Sequence, residues 1–178
     1  MGMHSQDTAE LFFSNCRIPK ENILGDKGNG FLMLMQKLQQ ERLVSAIGSV
    51  AAAEMILDAT MEHCRQEKMG GKPLSKHQAI QFSLVEMATR VRMNRLLVDN
   101  LTMQHAEGKE VIEETMMAKF ESSEMLNELA DRCLDFFGQY GGSEANPLVR
   151  MFRDVRINTI FAGTTEIMKK IIAKSLSL

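Results

Sequence analysis

Residues 75–107 read SKHQAIQFSLVEMATRVRMNRLLVDNLTMQHAE. No proline or glycine interrupts the stretch, and Ile80, Leu84, Met87, Val91, Val98 and Leu101 recur at steps close to helical spacing. That period draws one apolar stripe along a helix and leaves Arg90, Arg92 and Asp99 largely off it. Ser75 is the expected N-cap and Gly108 the expected stop, so the spacing predicts a helix over about 75–107. Such a helix spans more than roughly 40 Å, and its apolar side needs partners of similar length.

The flanking segments supply them. A first helix is predicted from Gly30 to about Lys68, with Leu34, Leu38, Val44, Ile47, Val50, Ala53 and Ile56 as its apolar positions and Gly70-Gly71 as its stop. A third is predicted from about Glu110 to Phe137, carrying Met116, Phe120, Ala130, Cys133 and Phe137 on one face and broken by Gly138, Gly141 and Gly142. Two shorter helices are expected near 147–159 and 164–176, joined by IFAGTT. Residues 9–13, around Leu11-Phe12-Phe13, read as a short strand. The expected fold is all-α: an up-down, four-helix-type bundle of long antiparallel helices, preceded by a β-strand remnant.

Composition agrees and excludes other classes. The 178 residues carry 21 Lys+Arg against 23 Asp+Glu, so there is no basic excess to neutralise a nucleic acid. With no Trp, a single Tyr and 15 Met, the core is expected to be aliphatic and sulfur-rich, with the methionines mostly on the buried stripes. No apolar run is expected to cross a membrane. Cys16, Cys64 and Cys133 form no CxxC pair, and the four histidines lack metal-ligand spacing. A P-loop, a dinucleotide glycine fingerprint and a GxSxG elbow are all missing.

Two segments hold chemistry that packing does not demand. In Gln40-Glu41-Arg42-Leu43, residue types alone favour a solvent-facing Glu41 beside Arg42. The other reading is a carboxylate in an apolar cleft, its pKa raised so that it serves as a general base. In Arg153-Asp154-Val155-Arg156, two arginines bracket an Asp and invite a salt-bridge brace. Thr164 is a good N-cap behind Gly163, at a helix N-terminus able to face an anion or a polar cofactor edge.

Together these segments resemble the C-terminal part of the flavin-dependent acyl-CoA dehydrogenases. TAELFFSNCRIPKENILG resembles the family's last β-domain strand and turn. GNGFLMLMQKLQQERL resembles its G-x-G-F helix start running into an E-R pair, and KPLSKHQAIQFSLVEMA its second bundle helix. NPLVRMFRDVRINTIFAGTTEIMKKIIA resembles its ending, R-D-x-R followed by I-x-x-G-T-x-E-I. The resemblance implies that residues 1–27 are the tail of a middle β domain and 28–178 the helical bundle. The opening GMHSQDT resembles family sequence interrupted in mid-domain, so a piece of a longer protein is expected.

The resemblance also implies α,β-desaturation of an acyl-CoA thioester, with FAD between the β domain and the bundle. The expected partners are sister subunits in a dimer or tetramer and an electron-transfer flavoprotein or similar acceptor. The expected compartment is the cytoplasm in a bacterium and the mitochondrial matrix in a eukaryote. One group of the family has its catalytic Glu in the I-x-E-G-T loop, and here that position is Ala162. The isovaleryl and long-chain group has it in the bundle helix, and here that is Glu41, with Arg42 at the acyl-CoA site. Gly163, Thr164 and Glu166 stand at flavin-facing positions. Other family FAD positions are altered: Glu67 stands for an Arg, Gly70 for a Phe, Asp135 for a Gln and Gln139 for a Gly. A non-catalytic partner subunit with a degenerate FAD site is therefore the alternative.

Overall fold

A computed structural model describes residues 2–178. Five helices make the architecture: α1 (Gly30–Gln66), α2 (Gln78–Ala106), α3 (Ile112–Asp135), α4 (Pro147–Asp154) and α5 (Thr165–Ser175). The three long helices form the bundle, and α3 is its hub, packed on α1, α2, α4 and α5.

The α1–α3 seam is lined by small side chains. Ala46, Ser49, Ala53 and Thr60 of α1, and Ala118, Ser122 and Ala130 of α3, are buried. Small residues let helix backbones approach closely, and Ile56, Met125 and Leu126 fill the remaining space. Cys64 and Cys133 are fully buried. Burial pushes both thiols up, Cys133 to about 11 despite a hydrogen bond with Thr60, so both act as small apolar filler. Ion pairs cross the bundle rim. Arg95 of α2 grips Glu54 of α1, and Arg90 of α2 grips Glu121 and Glu128 of α3. All are partly solvated and each is worth about 0–1 kcal/mol.

Several expectations need correction. Residues 9–13 form no strand, because a strand requires a partner and none pairs with them here. The one two-stranded sheet among the described residues joins Lys68–Met69 to Lys72–Pro73. Gly70 and Gly71, at φ +59° and +84°, make its tight turn. They do not stop α1, which ends where Glu67 turns extended. Helix α2 starts at Gln78, with His77 at its N-cap position, because Leu74–Lys76 closes into a 3-10 turn that takes Ser75 out of the cap. The helix predicted over 147–159 is α4 plus a 3-10 turn, Val155–Thr159.

The stripe of α2 is as expected, with Leu84, Met87, Val91, Val98 and Leu101 buried. That of α1 is not: Leu34 and Val44 are exposed, and no residue of α1 before Leu43 is buried. Methionines divide between core and surface. Met87, Met116, Met125 and Met168 are buried, whereas Met35, Met55, Met69, Met93 and Met103 are exposed. Helix α1 also contains a window of mean hydropathy 1.5, long and apolar enough to cross a membrane by composition, contrary to expectation. Half of that window is buried inside the bundle, as in the core helix of a globular domain.

Candidate active site

The site forms where the fourth turn of α1 passes the 160–164 connection leading into α5. That connection cannot continue the preceding 3-10 turn. Ala162 has φ +56° and Gly163 φ +104°. The first is uncommon for a residue with a Cβ, and the second belongs to glycine. A Cβ on Gly163 would stand 2.6 Å from Cε at the end of the Met168 side chain, which would have to shift; it is the backbone geometry that calls for glycine. Thr164 then caps α5, its hydroxyl accepting from the Ile167 N–H at 3.3 Å.

Two cations hold this turn. Arg42 Nε donates to the Ala162 carbonyl at 3.2 Å. Lys119 Nζ, from α3, donates to the Gly163 carbonyl at 2.6 Å. Burial lowers the pKa of Arg42 from its ordinary value. Burial also pulls Lys119 down to about 8, helped by the Arg42 charge and opposed by Glu166. The Glu166 carboxyl is held below the usual range by its own backbone N–H and by Thr164, in the first turn of α5. Arg42, Gly163, Thr164 and Glu166 thus lie around one turn. Lys119 is a member that sequence reasoning missed.

Glu41 is exposed on α1. Residues seven apart return to nearly the same helix face, so Glu41 shares a face with Gly48. Two turns from Glu41, Gly48 and Ala52 line a mostly apolar groove of about 520 Å³ with Met151, Ile157 and Phe161, to which Gln6, Thr8, Asp154 and Asn158 add polar groups; Glu41 itself is not in its lining. On the other side of the turn, Arg156, Thr159, Ile160, Thr164, Thr165 and Glu166 line a polar cavity of about 420 Å³. The buried Thr165 hydroxyl there has no hydrogen-bond partner among the described residues.

The expected brace around Asp154 is arranged differently. Arg153 binds Glu144 through both nitrogens, at 2.6 and 2.8 Å, and Arg156 binds Thr159. Asp154 accepts from the Met3 N–H, with Arg150 4.0 Å away. A carboxylate between two arginines in sequence points to only one side of a helix, and both neighbours lie round the axis from it.

The altered positions lie elsewhere. Glu67 follows the end of α1, Gly70 is in the hairpin, Asp135 ends α3, and Gln139 is in the 3-10 turn Gly138–Gly142. All four are exposed. The two segments meet through His63, whose ring stacks on Phe137 at 4.0 Å and whose Nε2 lies 3.1 Å from the Phe136 carbonyl.

Comparisons with known proteins give this geometry a family. Residues 28–177 match the family described as "Acyl-CoA dehydrogenase, C-terminal domain". The chain is 37% identical over 176 residues to the mitochondrial long-chain specific acyl-CoA dehydrogenase of Rattus norvegicus, covering 99% of this chain and 41% of that protein. It superimposes on an acyl-CoA dehydrogenase from Geobacillus kaustophilus with TM-score 0.95 and 44% identity, over 99% of this chain and 47% of that one. Butyryl-CoA dehydrogenase from Megasphaera elsdenii superimposes with TM-score 0.87 and 32% identity, over 90% and 42%. The chain therefore spans less than half the length of these relatives. Its profile match and its bundle agree: the chain belongs to the acyl-CoA dehydrogenase family and forms its C-terminal domain.

Proposed function

We propose that this domain serves a flavin-dependent acyl-CoA dehydrogenase, with Glu41 as the base that takes the α-proton of an acyl-CoA thioester. The observation that carries the reading is the Arg42–Ala162 hydrogen bond, which ties the residue next to Glu41 to the turn where other family members keep their carboxylate. Ala162 cannot accept a proton, and Glu41 is the carboxylate next in sequence to the arginine that binds its carbonyl. The apolar groove on the Glu41 face suits an acyl chain. Glu41 is exposed among the described residues, so the burial that suits a base would come from substrate and from the rest of the longer protein.

FAD, when bound, supplies the acceptor for the hydride leaving the β-carbon. Toward it, Gly163 permits close backbone approach, Thr164 and Glu166 offer the N-terminal end of α5, and Thr165 lines the polar cavity beside them. These residues fit a polar cofactor edge. The other end does not fit an adenosine diphosphate: Glu67 and Asp135 present carboxylates where the family has Arg and Gln. Those substitutions support a second reading, a partner subunit whose FAD site is degenerate or completed by a different chain.

Assembly with further subunits follows from the outer face of α2, where Phe82, Val85, Met93, Leu96 and Met103 are exposed along one helical line. An electron-transfer flavoprotein or similar acceptor would reoxidise the flavin. The test is FAD titration of the complete polypeptide, followed by anaerobic addition of acyl-CoA thioesters of graded length. Tight binding with bleaching of the flavin band is expected. No binding, or binding without bleaching by any thioester, overturns the enzyme reading and leaves the partner-subunit reading.

A further inference from the structure

Lys119 is the one charged side chain with no exposed surface among the described residues. An ammonium taken out of water is costly unless it is well paired. No carboxylate hydrogen-bonds this one. Its bond is to the Gly163 carbonyl, the Arg42 guanidinium repels it from α1, and Glu166 attracts it from α5. A Met at this position would fill the space without the desolvation cost, so the charge must serve the turn.

Carbonyl and following N–H point in opposite directions across a trans peptide. Arg42 holds the Ala162 carbonyl on the bundle side, so the Gly163 N–H faces away. Lys119 holds the Gly163 carbonyl there, so the Thr164 N–H faces away too. Neither N–H has an acceptor among the described residues. We propose that Lys119 is a positioning residue: with Arg42 it pins two successive carbonyls of the 162–164 turn and so presents two backbone donors to the cofactor side of the site. Its functional half rests on the dehydrogenase reading above, whereas its structural half does not.

The test is Lys119→Met in the complete polypeptide, read by amide hydrogen exchange. Residues 156–164 should exchange at least about tenfold faster, with α1, α2 and α3 unchanged. Lys119→Arg, which keeps a cationic donor, should move back toward the parent rate. Unchanged exchange at 156–164 overturns the proposal whatever activity remains. Equal loss of protection throughout the bundle also overturns it, since Lys119 would then be a stability element only. Should Lys119→Met fail to fold, Arg42→Met removes the other cation from a half-buried position, and a segment 156–164 as protected as in the parent overturns the clamp. The functional half is read by FAD affinity and by kcat against KM. A loosened turn with parental FAD affinity and kcat removes that half and leaves the dehydrogenase reading intact. Loss of flavin bleaching in the unmutated protein removes the dehydrogenase reading and leaves the exchange result standing.

Discussion

Arg42 and Glu67 stand on one helix, 25 residues or roughly 37 Å apart, and their surroundings differ in kind. Around Arg42 the backbone is held from two sides: cations from α1 and α3 take successive carbonyls, Gly163 fits against Met168, and Thr164 caps α5. Around Glu67 the backbone is hydrogen-bonded but the side chains are open to solvent. Glu67, Gly70, Asp135 and Gln139 are all exposed, and the segments carrying them touch through His63, which stacks on Phe137 and meets the Phe136 carbonyl. On the proposed reading both regions face FAD, and only the first carries the residues that the family pattern calls for. A site constrained by packing on several sides tolerates few replacements, whereas an exposed rim can change its charges at little cost to the fold.

That contrast can be broken by mutation, beginning with the largest effect. Gly163→Ala should cost about 1–3 kcal/mol, chiefly from a Cβ at positive φ, with a smaller share from displacing the end of Met168. Gly70→Asn, in an open left-handed turn, should stay within about 0.5 kcal/mol. Urea midpoints of the two variants measure the difference, and similar losses would contradict the contrast.

The pH dependence of Lys119 comes next. Its folded pKa, about 8, lies below the ordinary 10.5. Between those values the unfolded chain holds more protons, so stability rises with pH across the window, by on the order of 2 kcal/mol. The urea midpoint of the parent relative to Lys119→Met should therefore increase between about pH 7 and about pH 10. A constant difference would mean that the ammonium is not desolvated. Thr164→Ala, which removes the α5 cap, should cost about 1 kcal/mol in thermal or urea unfolding. Smallest in stability is Glu67→Arg, expected to change it by less than about 0.5 kcal/mol. In the complete polypeptide it should tighten FAD binding, because it replaces repulsion of a diphosphate by attraction. Unchanged FAD affinity would place Glu67 away from the cofactor.

What the amino-acid pattern revealed follows where the burial partner lies. The α2 stripe was legible because everything that covers Leu84 through Leu101 is in this chain. Leu34 and Val44 carry the same apolar signal and are exposed, since periodicity marks a face that wants cover without saying what supplies it. The start of α2 was misread because a local 3-10 turn consumed Ser75. The family pattern singled out Glu41, Arg42, Gly163, Thr164 and Glu166, and the structure joins Arg42 to the turn that carries Gly163 and Thr164. Lys119 was not singled out, since lysine is a surface residue by type. Its position held the signal: it lies three residues after buried Met116 and seven before buried Leu126, on the inner face of α3.

The most direct test is Glu41→Gln in the complete flavoprotein, with flavin bleaching by saturating acyl-CoA followed in a single turnover. With folding and FAD binding intact, the rate should fall by about 10³-fold or more, the share a positioned base contributes. Bleaching at the parental rate would show that another group takes the α-proton.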